Sequence, residues 1–323
     1  FMEPQACGAC RAGNIYNLLQ RVLYRMAEQG QTEYAQIPVI SLNLMGEEKH
    51  TGFRITPGLL SGGIAAGCYG DLIMCLYQQV KPYEQNPGET DRIRSQVEKK
   101  LCESIRRHRN GRHTREKNYR YACEVFSKVP VKPGKKKRVG ITGEIYMKCS
   151  KLGNDDIESF LLRQGMEPYS GGFVNYCLYL VDTERYKVEK YQHNPIMAKA
   201  CAFVLHRLCE AQKHLLTVIG ETDRFQTDLP FPELKEKVQG ILAEGCNTGD
   251  GWLIAAEVIQ YVEKGCGSVL ILHPFGCLVS HVCERGILQR LHARFPDVSI
   301  QTIEYDYDQS KTLRESRILL AIS

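Results

Sequence analysis

The sequence predicts an α/β protein, in which a parallel sheet in one or more lobes is joined to a substantial helical part. Two patterns point there. From Val139 onwards, strand-length apolar runs alternate with helical ones: "VGITGEIY" then "NDDIESFLLRQG", later "SVLILHPFGC", a helix, "VSIQTIEYDYD" and "LRESRILLAIS". Alternation of this kind is the mark of βαβ units. The long middle, Tyr186 to Gly245, is mostly helical in pattern and packs across the sheet or extends from it. At 323 residues, 43% of them hydrophobic, the chain fits two lobes better than one.

Taken in order, "ACGACRAGNIY" opens with a Cys-x-x-Cys and enters an amphipathic helix with Ile15, Leu18, Leu19, Val22 and Leu23 on one stripe. "IPVISLNL" is a β-rich run, and "PGLLSGGIAAGCYGDLIMCLYQQVKPYE" is expected to form helices with a glycine-rich joint. A basic helical stretch follows. Pro130, Pro133 and Gly134 then break the pattern, so residues 1–130 are assigned to the end of a first lobe plus a helical connection. Residues 131–323 are assigned to a C-terminal α/β lobe with a helical insertion at about 186–245. There Asn154 or Asp155 caps the helix that Gly165 ends.

The net charge of +5 comes largely from Arg92–Tyr121 and Lys132–Arg138. No nucleic-acid motif accompanies these clusters, so they are read as solvated faces or a surface for an acidic partner, and nucleic acid is excluded. The sequence shows no apolar run taken as long enough to cross a bilayer and no export signal, so no membrane partner is expected and the chain is assigned to the cytoplasm. Fourteen cysteines are then better explained by metal or redox chemistry than by disulfides.

Three places offer thiols to a ligand. Cys7 and Cys10 are spaced to reach one metal or cluster, or to form a redox pair, and the helix after them favours thiolates. Cys246 sits in a glycine-rich loop before a helix, with Asn247, Thr248 and Asp250 available for capping. Cys277 follows the apolar run 269–272 and the punctuation of Pro274 and Gly276, at the strand end where α/β sheets present ligands. The ordinary alternative for each is a buried or structural cysteine. That reading is adopted for most of Cys68, Cys75, Cys102, Cys123, Cys149, Cys177, Cys201, Cys209 and Cys266. A zinc site from Cys7, Cys10, Cys277 and His281 can also be written, without the paired spacings of zinc-finger classes. No phosphate loop, dinucleotide-binding glycine motif, nucleophile elbow or H-E-x-x-H motif occurs.

In order, "CGACRAGNIY", "PVISLN", "YGDLIM", "KPYE", "VGITGEIY", "GDGWLIAAEV", "HPFGCLVSHVCERG" and "EYDYDQSKTLRESRILLAIS" resemble the C-terminal region of the large proteins related to 2-hydroxyacyl-CoA dehydratases and their activases. The resemblance implies Rossmann-like α/β lobes around a [4Fe-4S]-type cluster, single or double cubane. It implies a component of an ATP-dependent dehydratase or reductase system: an ATP-hydrolysing activase, as domain or subunit, drives a low-potential electron into the cluster. An acyl-CoA is among the substrates implied, and a dimer among the assemblies. Carried over by motif, Cys7, Cys10 and Cys277 are cluster ligands, with Cys246 as a further candidate. Arg11, Gly276 and Glu144 are the candidate cofactor contacts, Arg11 by charge. Val279 and Ser280 stand where relatives tend to have Pro and Asn. Relatives carry a further lobe upstream, so a chain that reaches Cys7 so early is expected to be a piece of a longer protein. His281 and Cys283 are read as bystanders on the following helix. The alternative function is a non-catalytic interaction or regulatory domain with structural cysteines or zinc.

Overall fold

The computed structural model describes residues 2–4, 14–42, 56–192 and 194–323. Its first elements are β1 (Met2–Pro4), α1 (Ile15–Glu28), β2 (Ile40–Leu42), α2 (Pro57–Val80), α3 (Glu89–Arg106) and α4 (Arg112–Ser127). Next come β3 (Arg138–Gly143), α5 (Ile145–Cys149), α6 (Ile157–Arg163), β4 (Glu167–Tyr169), α7 (Phe173–Lys187), α8 (Pro195–Gly220) and α9 (Phe231–Glu236). The chain closes with α10 (Gly251–Glu263), β5 (Cys266–Pro274), α11 (Arg285–Arg294), β6 (Ser299–Tyr305) and α12 (Lys311–Ile322).

The protein has the α/β fold that the sequence predicts. Its main sheet is parallel throughout and ordered β4-β3-β5-β6, while β1 and β2 form a separate parallel pair. Each central strand is apolar on both faces because helices cover both. On β5, Leu270 and Leu272 pack with Val139, Ile141, Phe160 and Ile318 in one core, whereas Val269 and Ile271 join the other. The second core is the larger. It includes Leu72 and Leu76 of α2, Val97 of α3, Phe126 of α4, Leu178 of α7, Leu215 of α8 and Trp252 of α10. Helices on either side of residue 131 therefore share one core.

Local chemistry accounts for the elements. The N-cap position of α6 is Asp156, which makes no side-chain cap bond, while Asn154 Oδ1 accepts from the helix's first amide, Ile157 N (3.3 Å), and Gly165, at φ +75°, ends the helix. The glycine-rich joint expected near residue 62 is instead the interior of a single helix, α2, begun by Thr56 Oγ1 accepting from Leu59 N (3.1 Å) and by Pro57. The small residues serve close packing: a Cβ on Gly67 would meet Val174 Cγ2 at 3.4 Å. On α1 the predicted apolar stripe is largely exposed at Ile15, Leu18 and Val22, with Leu23 buried.

The expectation that no segment could span a bilayer is corrected by α2. The stretch Gly58–Tyr83 is long and apolar enough by length and composition, with mean hydropathy 1.5. Its inner face, Ala65, Cys68, Leu72, Leu76 and Val80, is buried in the protein core, and it carries Asp71. The Asp71 carboxylate accepts hydrogen bonds from Phe173 N (2.7 Å) and Val174 N (2.9 Å), capping α7 from a neighbouring helix.

Burial pushes the Asp71 pKa up to about 7, against the pull of those two amides, and Asp228 adds to the rise. The unfolded chain releases this proton near the ordinary value of about 3.9, so the folded chain holds it over the interval between. Stability from this group is therefore full below pH ~4 and lost as pH rises through about 7. Asp71→Asn is expected to flatten that fall, gaining on the wild type by on the order of 2 kcal/mol between pH 5 and 8 once partial exposure is allowed for. Urea midpoints measured across this pH range decide it, and parallel curves for the two proteins would contradict the assignment.

Candidate functional site

Numbered among themselves, the four strands of the main sheet run 2-1-3-4, which places the reversal of strand order between β3 and β5. In doubly wound sheets ligands bind at that crevice, beyond the carboxyl ends of the two strands. The register pairs Gly143, the last residue of β3, with Leu272, and β5 runs on two residues further to Pro274. Gly143 has φ +130°, and a Cβ there would lie 2.0 Å from Leu272 O. Only glycine permits this approach, which lets Glu144 N donate to Leu272 O (2.8 Å) and turns the chain into α5. The Glu144 carboxylate accepts from Met147 N (3.0 Å), so it caps α5 at the rim of the crevice, where it is half-buried.

From the other strand, Phe275 N donates to Tyr305 O (2.9 Å), Gly276 takes φ +70°, and Cys277 N closes a turn onto Pro274 O (3.2 Å). The next residues wind as a π turn, Ser280–Glu284, before α11. Single π turns inside helices are often found at functional sites. Gly249 of the loop before α10 packs on this turn so closely that a Cβ would meet Val279 Cγ2 at 2.7 Å. Gly251, whose Cβ would lie 2.1 Å from Cys246 O, holds the same loop tight, and Trp252 N donates to Cys246 O (2.9 Å). The expected side-chain cap from Asp250 does not form. Its carboxyl is buried instead.

These turns bring Cys246, Cys277 and Cys283 into one electrostatic neighbourhood with Glu144, Asp250 and Glu284. Burial raises the Cys283 thiol, followed by Cys246, Glu284 and Cys277. Burial likewise raises Cys277; Ser280 works against this, and Glu284 and Glu144 add to it. The carboxyls are affected in the same way. Glu284 is pushed by burial up to about 8, and Asp250 is held well above the carboxylate range by burial, then by Glu144, Glu257 and Glu284. Glu284 is fully buried, yet neither carboxyl oxygen makes a hydrogen bond of good geometry among the described residues. Without a cation the pocket thus favours protonated thiols and acids, and binding a metal would release protons from the thiols that ligate it.

Beneath this layer, Lys148 Nζ meets Glu257 Oε1 at 2.6 Å, with side chains only 3% and 2% exposed. Thr142 Oγ1 donates to the other oxygen of Glu257 (2.6 Å). Burial opposes the lysine's charge, and Glu257 outweighs it, so the Lys148 pKa lies above the ordinary value. Gly140 leaves room on β3 for this helix, since a Cβ would meet Tyr261 Cδ2 at 2.8 Å.

Of the residues singled out in the sequence, Glu144, Cys246, Gly276 and Cys277 converge on the crevice. Cys7, Cys10 and Arg11 lie outside the described residues. Cys283 and His281, set aside as bystanders, are neighbours of Cys277: one shares its electrostatic environment, and the other places ring Nδ1 2.8 Å from Cys277 O. Asp250, Glu257, Glu284 and Lys148 were not anticipated in the crevice. The core assignment of the remaining cysteines holds for Cys68, Cys123 and Cys266, whereas Cys102 and Cys149 are exposed. Comparison with protein-family profiles, curated proteins and solved structures finds no match for the chain.

Proposed function

We propose that the β3–β5 crevice holds an iron-sulfur cluster of the [4Fe-4S] type and that the chain serves low-potential single-electron transfer. The observation that supports this reading is that Cys246 and Cys277 both help to raise the Cys283 thiol, which puts two further thiols, from separate positions in the chain, within electrostatic reach of it beside the switch point of the sheet. Cys277 and Cys246 would ligate it, with Cys7 and Cys10 completing the set. When bound, such a cluster supplies one-electron chemistry at a potential set by net charge, hydrogen bonds and burial. The chain's own groups fit those terms. Glu284, whose pKa burial pushes up to about 8 and whose oxygens make no hydrogen bond of good geometry among the described residues, would be a hydrogen-bond donor held in the pocket. Gly249 and Gly276 keep backbone, with no side chain, against the cleft.

In this reading the chain works in the cytoplasm, in a dehydratase or reductase system charged by an ATP-hydrolysing activase and acting on small substrates such as 2-hydroxyacyl-CoA thioesters. The sequence motifs support that placement. The exposed side chains of Phe275, Leu278 and Val282 around Cys277 leave the crevice accessible to a redox partner.

Anaerobically purified chain should be brown and carry both iron and acid-labile sulfide. Cys277→Ala is expected to lose most of both, while Cys102→Ala, at an exposed position on α3, keeps them. A chain that stays colourless after reconstitution with iron and sulfide sinks the proposal and favours an interaction domain with structural cysteines.

A further inference from the structure

β5 ends in a second set of donors that uses no cysteine side chain. His273 is fully buried, and its Nε2 has no hydrogen-bond partner among the described residues. A buried polar group left in this way costs roughly 1–3 kcal/mol, and the ring nitrogen that faces the neighbouring strand is the other one, Nδ1. Parallel pairing sets His273 opposite Glu304 of β6. The His273 Nδ1 to Glu304 Oε2 distance is 3.9 Å. The same carboxylate oxygen lies 3.3 Å from His281 Nε2. The two imidazoles meet edge to face, 5.4 Å between centroids, and one donor atom from each of the three residues lies within 4.8 Å of the other two.

The orientation of His281 also suits a ligand. Its Nδ1 sits 2.8 Å from Cys277 O, a carbonyl that can only accept, so Nδ1 carries the proton of the neutral ring. The lone pair is then left on Nε2, the atom facing Glu304. A backbone carbonyl that fixes the tautomer and angle of a ligating histidine is the usual outer support of such sites.

We propose that His273, His281 and Glu304 form a mononuclear site for a divalent cation of the zinc class, separate from the cysteine crevice. Bonds of about 2.0–2.2 Å in a tetrahedron separate donors by roughly 3.3–3.6 Å. The His281–Glu304 separation already matches, His273 Nδ1 has to close on Glu304 by a few tenths of an ångström, and the two imidazole donors lie within 4.8 Å of each other. Three protein donors leave the fourth position to water, the arrangement of open zinc sites. Imidazole and carboxylate together suit zinc, cobalt, nickel or iron(II) rather than calcium or magnesium. Arg285, 3.4 Å from the same Glu304 oxygen, is the competing cation. It lies at the surface and is free to turn away.

Cobalt(II) added to the chelator-treated, full chain under anaerobic conditions reads this site directly. The expected result is one cobalt per chain with weak visible d–d bands of a site without sulfur, told apart from any further cobalt on the thiols of the crevice by the intense sulfur-to-metal charge transfer that only the latter shows. His281→Ala and Glu304→Gln, both at partly exposed positions, should weaken that binding by about 100-fold or more. Cys246→Ala, on the other loop, should leave the d–d bands unchanged while iron and sulfide are lost, which separates failure here from failure of the iron-sulfur reading. In the wild type, proton NMR should show paramagnetically shifted imidazole N–H signals, a readout that needs no variant to fold. Cobalt held only through thiolates, uptake unchanged in both variants, or no shifted imidazole protons overturns the site.

Discussion

Lys148→Ala is expected to destabilise the protein by about 3–5 kcal/mol, because it leaves the carboxylate of Glu257 buried with its cation gone. The pair is nearly sealed from solvent, and Thr142 supplies Glu257 with a single neutral donor. Neither partner can be rehydrated without opening the contact between α5, α10 and β3. An intact buried pair adds little net stability, since desolvation offsets much of its attraction. Replacing both members with apolar residues of similar size, Lys148→Met with Glu257→Leu, is therefore expected to recover most of the loss. Urea unfolding followed by circular dichroism measures both variants. A Lys148→Ala chain within 1 kcal/mol of the wild type would mean that the pair is open to water. Asp228 and Asp250 also take part in the Lys148 field, so losing this cation should raise their pKa values further.

Gly143→Ala is expected to be at least as damaging, costing more than about 4 kcal/mol or preventing folding. The glycine has φ +130°, and its Cβ would fall 2.0 Å from a backbone oxygen of the neighbouring strand, which no side-chain rotation relieves. Gly134 is the matched control. It has a similar φ of +123° with nothing within 4 Å of the added atom. Gly134→Ala should then show the conformational cost alone, about 1–3 kcal/mol. Equal losses at the two positions would remove the argument that β3 and β5 are pressed together at the crevice.

How much of this was legible in the sequence depended on whether a residue's role follows from its neighbours in the chain. The β3–α6 and β5–β6 segments were, because apolar runs and their punctuation are local. Cys277 was placed at a strand end for the same reason. Cys246 was noticed from its glycines, although the contact that makes them necessary, with Val279, lies 30 residues downstream. The helix after Cys277 departs from what its sequence predicts: regular spacing of Leu278, Val282, Leu288 and Leu291 turns Val282 inward, yet Val282 is 61% exposed and Glu284 is fully buried. The π turn at Ser280–Glu284 carries an extra residue per turn and resets which positions face the sheet. A helical period cannot reveal such a shift. Asp250 was hidden by its resemblance to a helix cap. Lys148 and Glu257 were hidden because charged residues ordinarily face water, even in a helix as apolar as α10.

The contact between Gly249 and Val279 has a mechanical consequence. It makes the valine side chain a spacer between the two loops that carry Cys246 and Cys277, so how closely those loops approach depends on a pair of methyl groups rather than on a bond. Trimming the spacer would let the loops draw together, and lengthening it would wedge them apart. The crevice can therefore be tuned from a position that offers no donor atom of its own.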